Sequence, residues 1–183
     1  MSFMSKFSAV ALVSSRARAE GPSPRRRRAP LRLEALEARD LKTVAGVSLV
    51  YGMVSIEGPN SSGNSAHVSR VGDSVRVSLN GQEVDFNSSE VSSVSYTGGA
   101  NGGDTFENDT NLYSQAYGFG GHNNFSGGSY FNTVYLHGDD NKYDARGGTS
   151  YVFAYDGPHN SIVQYSNNYV YAYNTSSYYS YFF

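Results

Sequence analysis

From Val47 onward, short runs alternate apolar and polar residues with a period of two, and the runs end at glycine or asparagine. The stretch SVRVSLNGQEVDF (74–86) is the clearest of them. Val75, Val77 and Leu79 alternate with polar residues, and Val84 and Phe86 resume the alternation after Asn80-Gly81. That dipeptide suits a type I′ turn because both central positions need φ > 0, so the stretch predicts an antiparallel hairpin. VSLVYGMVSIEG (47–58), AHVSRVG (66–72) and VSSVSYTG (91–98) read as further strands, the last with Val91, Val94 and Tyr96 as its apolar positions. Residues 44–97 are therefore expected to form a small antiparallel β segment.

Past Gly98 the pattern acquires a longer period. Asp104-Thr105-Phe106, Asn123-Asn124-Phe125, Asn141-Lys142-Tyr143 and Asn160-Ser161-Ile162 repeat Asp/Asn, any residue, large apolar, at spacings of 19, 18 and 19. Asn132-Thr133-Val134, Ser150-Tyr151-Val152 and Asn168-Tyr169-Val170 interleave with them at spacings of 18 and 18. The unit is a nonapeptide, two units make one turn of chain, and glycines precede the polar position. One coil cannot bury its own apolar residue, so coils must stack, with equivalent residues about 4.8 Å apart. Glycine suits the bends, where the backbone enters regions closed to residues with a Cβ. Phe106, Phe125, Tyr143 and Ile162 should form one interior ladder, and Val134, Val152 and Val170 another. Residues 108–117 (NDTNLYSQAY) break the register and are expected as a loop between the first coil and the rest.

GANGGDTFE (99–107) resembles the nonapeptide of the haemolysin-type calcium-binding (RTX) family, Gly-Gly-x-Gly-x-Asp-x-apolar-x, with Ala100 in place of the second glycine. Residues 118–126 keep Gly118, Gly121, Asn123 and Phe125; GGSYFNTVY, LHGDDNKYD and ARGGTSYVF are more degenerate copies. The resemblance implies a right-handed parallel β-roll or β-helix of three to four coils over residues 98–183, with Ca²⁺ held between coils by the aspartates and turn carbonyls. Ca²⁺ takes six to eight oxygens, so it needs an array. Of the seven repeat positions, Asp104 alone is an acid; Asn123, Asn141, Asn160, Asn132, Ser150 and Asn168 are neutral. Asparagines can ladder by amide hydrogen bonds without an ion. A largely calcium-independent stack is thus expected, with weak Ca²⁺ sites confined to Asp104, Asn123 and Asn141 or to Asp139, Asp140 and Asp144.

Charge divides the chain. Residues 1–43 hold ten of the 14 Lys/Arg and four of the 16 Asp/Glu; the body holds the other four and twelve. Arg25–Arg28 follow two prolines, and like charges repel, so a disordered basic leader is expected there. Leu36-Glu37-Ala38-Arg39 resembles the Leu-Glu-Pro-Arg leader of large bacterial surface proteins, with Ala38 where proline is usual; it implies export. FSAVALV (7–13), ahead of Ala17-Arg18-Ala19, is the rival reading as a conventional signal peptide and leads to the same destination. An acidic body argues against nucleic acid, and no apolar run reaches the length of a membrane-spanning helix.

Candidate chemistry is sparse. His67, His122, His137 and His159 lack a local ligand spacing such as His-x-x-x-His and read as turn or surface residues. No Ser/His/Asp arrangement assembles, and no Lys-Ser/Thr follows the glycines, so neither an enzyme nor a phosphate loop is expected. YVYAY (169–173) places Tyr169, Tyr171 and Tyr173 on one face of a strand, where they are candidates for binding a sugar or a partner surface. The sequence thus points to an all-β, exported surface or matrix protein with a structural or adhesive role, carrying degenerate calcium-binding repeats. The alternative is a carbohydrate-binding module, or a remnant of a β-helix polysaccharide-active protein, that uses the tyrosine-rich C-terminal coils. Cell-envelope or matrix components, polysaccharide among them, are the expected partners.

Overall fold

A computed structural model describes residues 44–164, 168–173 and 178–182; the basic leader expected over 1–43 lies outside them. Regular structure among the described residues is β apart from one short 3₁₀ turn, and none of it is a helix long and apolar enough to cross a membrane. Fifteen strands follow in order: β1 Val47–Val50, β2 Met53–Glu57, β3 Ser65–Val71, β4 Ser74–Leu79, β5 Gln82–Asn87, β6 Ser93–Thr97, β7 Thr105–Asp109, β8 Tyr113–Gly118, β9 Asn124–Ser126, β10 Phe131–His137, β11 Lys142–Asp144, β12 Thr149–Tyr155, β13 Asn160–Gln164, β14 Asn168–Tyr173 and β15 Tyr178–Phe182.

The chain winds between two sheets. The first has the order β1-β2-β6-β8-β10-β12-β14 and the second β15-β13-β11-β9-β7-β3-β4-β5. From β6 on, successive strands alternate between the sheets and pair in parallel with the strand one turn away. This is the parallel β-solenoid that the paired nonapeptides predict. On the first sheet, Val94, Ser114, Asn132, Ser150 and Asn168 share one rung, one residue from each coil.

Both interior ladders form. Phe106 pairs with Phe125, Phe125 with Tyr143 and Tyr143 with Ile162, all buried. Opposite them, Ile56, Tyr96, Ala116, Val134, Val152 and Val170 form one column. Tyr96 crosses the interior to stack on Phe106 at 4.9 Å between ring centroids and to meet Phe125 edge-on at 5.5 Å. Each fully buried large side chain stabilises the fold by about 1.5–3 kcal/mol through loss of apolar surface.

The structure departs from the sequence reading in two places. Residues 44–97 contribute the antiparallel pairs β1–β2, β3–β4 and β4–β5, with Asn80 and Gly81 at φ 50° and 80° in the expected turn. They also begin the solenoid, because β2 pairs in parallel with β6 and β3 with β7. Ala66 lies beside Phe106 although the chain between them is far longer than one coil, and the β4–β5 hairpin takes up the excess length. Nor are residues 108–117 a loop. Asn108 Oδ1 accepts bonds from the Thr110 amide and hydroxyl, which tightens the turn, and β8 then enters the sheet with Ser114 and Ala116 inward. The coil is lengthened at that turn and its inward side chains are small, so the repeat is masked there.

Candidate functional site

At the start of the second-sheet strands β3, β7, β9, β11 and β13, one polar residue per coil turns inward. Asn64, Asp104, Asn123, Asn141 and Asn160 are all buried, each preceding a position of the paired row Ser65, Thr105, Asn124, Lys142, Ser161. The ladder is hydrogen-bonded in one sense. The Asp104 amide donates to Asn123 Oδ1, Asn123 N–H to Asn141 Oδ1 and Asn141 N–H to Asn160 Oδ1, each at 3.0 Å. Backbone bonds run the other way, from Asn124 N–H to Asp104 O and from Lys142 N–H to Asn123 O. The amide nitrogens of Asn123 and Asn141 donate to carbonyls of their own turns, at Phe119 and Gly138.

Asp104 fits this frame as an acceptor. Its Oδ1 receives the backbone and side-chain N–H groups of Asn64 at 2.7 and 2.9 Å, and its Oδ2 receives Gly99 N–H at 2.6 Å. Three N–H donors satisfy a buried carboxylate. Asp104, Asn123 and Asn141 are therefore brought together, with their oxygens aimed at N–H groups. The three remaining calcium candidates lie elsewhere. Asp139 and Asp140 stand in the turn before β11, and Asp144, at the far end of that strand, accepts from Arg146 N–H at 2.9 Å.

Tyr169, Tyr171 and Tyr173 do share one face, and each ends a column that sequence reasoning missed. On the outer face of the first sheet, Tyr117, Tyr135, Phe153 and Tyr171 stack with centroids 4.8, 5.0 and 5.1 Å apart. Phe119, His137, Tyr155 and Tyr173 form a second column at 5.6, 4.8 and 5.2 Å. Tyr113, Phe131, Tyr151 and Tyr169 form a third at 5.9, 5.3 and 4.9 Å. The signal was present in the sequence, since members of the first two columns recur at the spacing of the interior ladders. Most of these rings stack within a column, as parallel ribs along the solenoid; the Tyr113 hydroxyl donates to Thr133 Oγ1 and the Tyr117 hydroxyl accepts from Gln115 Nε2. Tyr117 has its pKa raised by partial burial and then by the neighbouring Tyr135 and Tyr113 phenols. Three charged clusters lie outside this face among the described residues, one of them Arg76 with Glu83 and Asp85 on the β4–β5 hairpin; the other two contain histidine. In one, Arg146 pairs with Glu107 and Asp109, and His67 lies 2.9 Å from Asp109. The other surrounds Asp140.

The chain matches no protein-family model, no curated protein and no solved structure.

Proposed function

We propose that this chain is an exported structural or adhesive module of a bacterial surface or matrix, and that its ribbed aromatic face is the adhesive surface. The three stacked columns are the observation that carries this reading. Tyr169, Tyr171 and Tyr173 are exposed and the other rings half-buried, and contiguous aromatic surface of this kind marks interaction sites. Nothing in the interior needs these residues, because the core is filled by the inward ladders.

The ligand this surface suits best is an extended polysaccharide laid along the ribs. Ring edges offer apolar contact to the C–H faces of sugars, while tyrosine hydroxyls donate to and accept from sugar hydroxyls. A rigid solenoid holds the columns in register, so binding orders few side chains. In this reading the RTX-like repeats have become scaffold, with the amide ladder in place of most calcium. Export rests on the leader-like residues Leu36–Arg39.

Retention on insoluble polysaccharides, such as cellulose, chitin and peptidoglycan, tests the proposal. Tyr135→Ala with Phe153→Ala, and Tyr171→Ala separately, should abolish or strongly reduce retention. Tyr51→Ala, at a fully exposed tyrosine in the β1–β2 turn, should leave it unchanged. Failure of the wild type to bind any polysaccharide, or equal retention of all variants, refutes it.

A further inference from the structure

The residue before each Asn or Asp of the second-sheet amide ladder adopts left-handed backbone geometry. Along the solenoid these residues are Gly63, Gly103, His122, Asp140 and His159, with φ of 70°, 72°, 55°, 52° and 64°. Glycine meets that requirement freely, and asparagine, aspartate and histidine are the other residues that tolerate it. In three successive coils, ahead of β9, β11 and β13, the chain places imidazole, carboxylate and imidazole in one column. His122 Nδ1 lies 3.7 Å from Asp140 Oδ2, and His159 Nδ1 lies 3.8 Å from Asp140 Oδ1. Both separations exceed hydrogen-bond length. Asp139 joins them, since the ligand atoms of His122, Asp139 and Asp140 all lie within 4.8 Å of one another. His122 and Asp140 border a surface pocket of about 390 Å³ that His159 and Lys142 also line.

We infer that this turn column is a binding site for a transition-metal dication of the zinc type. His122, Asp139 and Asp140 supply the ligands, and His159 orients the Asp140 carboxylate from its other oxygen. An ion with ligand bonds of about 2.0–2.2 Å in tetrahedral geometry separates its ligand atoms by about 3.3–3.6 Å. The gap between His122 and Asp140 is slightly wider, and small side-chain rotations close it. Imidazole with carboxylate selects zinc, nickel or copper over calcium, which prefers an all-oxygen shell. The other His/acid cluster differs, because the Arg146 guanidinium already sits on Glu107 and Asp109. Lys142 is the opposing charge in the pocket, and its flexible stem lets the ammonium turn away.

The test is Zn²⁺ titration of the full chain by calorimetry, with Co²⁺ absorption as a spectroscopic check and thermal melting to confirm that each variant folds. The wild type should bind one equivalent of Zn²⁺ that equimolar Ca²⁺ does not displace. His122→Asn and Asp140→Asn keep residues that tolerate the left-handed turn, and they should weaken binding at least tenfold. His159→Asn, which loses an outer partner, should weaken it about tenfold. Lys142→Ala should tighten binding, and His67→Ala should leave it unchanged. Wild-type affinity in folded His122→Asn and Asp140→Asn, loss of binding in His67→Ala instead, displacement by equimolar Ca²⁺, or no Zn²⁺ binding by the wild type overturns the inference.

Discussion

Tyr143 Oη lies 2.8 Å from Ser150 Oγ, tying a second-sheet strand to the first sheet through the interior. Tyr143 occupies the rung that Phe106 and Phe125 fill in earlier coils, so its hydroxyl is an addition to an apolar ladder. The inward polar position of the next half-coil supplies its partner. Tyr96, equally buried, lies against Phe106 and Phe125, and its hydroxyl has no hydrogen-bond partner among the described residues.

These two phenols should respond oppositely to loss of the hydroxyl. Tyr143→Phe removes a buried hydrogen bond and should lower unfolding free energy by about 1 kcal/mol. Tyr96→Phe removes a desolvated, unpaired hydroxyl and should be neutral or stabilising by up to about 1 kcal/mol. Urea unfolding of the two variants decides the matter. Equal destabilisation of both would contradict the packing described for Tyr96.

Alkaline pH should act on the same pair. Burial raises the pKa of Tyr143 and of Tyr96 above the ordinary value of 10.0, and the Asp104 charge adds to the effect at Tyr96. A raised folded-state pKa means that the native protein keeps a proton the unfolded chain releases. Stability from this source is complete below pH 10 and declines as pH climbs beyond it. Thermal melting across that range should show the fall, and the Tyr96→Phe/Tyr143→Phe double variant should fall less steeply. An identical slope would remove the buried phenols as its cause.

The interior ladders were legible because Phe106, Phe125, Tyr143 and Ile162 are large, and their spacing of 18 or 19 matches one turn. The Asn80-Gly81 hairpin was legible because its turn chemistry is local. Strand β8 was hidden, since Ser114 and Ala116 give no apolar signal in a coil longer than those that follow. The parallel partners of β2 and β3 were hidden for another reason: alternation of Val54 and Ile56 reads the same in either strand direction. His122, Asp140 and His159 show no ligand spacing within any one helix or loop. In a solenoid, residues one coil apart are neighbours, and only the winding brings these three together.

Asp104→Asn tests whether the amide ladder is self-sufficient. An asparagine there turns an NH₂ toward N–H donors, where the carboxylate had accepted three bonds. The variant should lose about 1–3 kcal/mol, the penalty of an unsatisfied buried polar group. Millimolar Ca²⁺ should leave the melting temperatures of wild type and variant unchanged. A Ca²⁺-dependent rise in the wild type that Asp104→Asn abolishes would instead restore the calcium role implied by the RTX resemblance.

Two glycines separate backbone strain from coil stacking. Gly102 and Gly147 both have positive φ, at 74° and 82°. A Cβ on Gly102 would stand 2.0 Å from Gly121 O in the next coil, whereas a Cβ on Gly147 would meet nothing within 4 Å. Gly147→Ala should therefore cost only the left-handed strain, about 1–2 kcal/mol. Gly102→Ala adds a backbone clash that the coils can relieve only by separating, which also stretches the bond from Gly103 N–H to Gly121 O, now 2.9 Å. Its loss should exceed that of Gly147→Ala by at least about 1 kcal/mol. Chemical denaturation of the two variants measures the difference, and equal losses would mean that the approach of neighbouring coils at Gly102 is looser than the geometry describes.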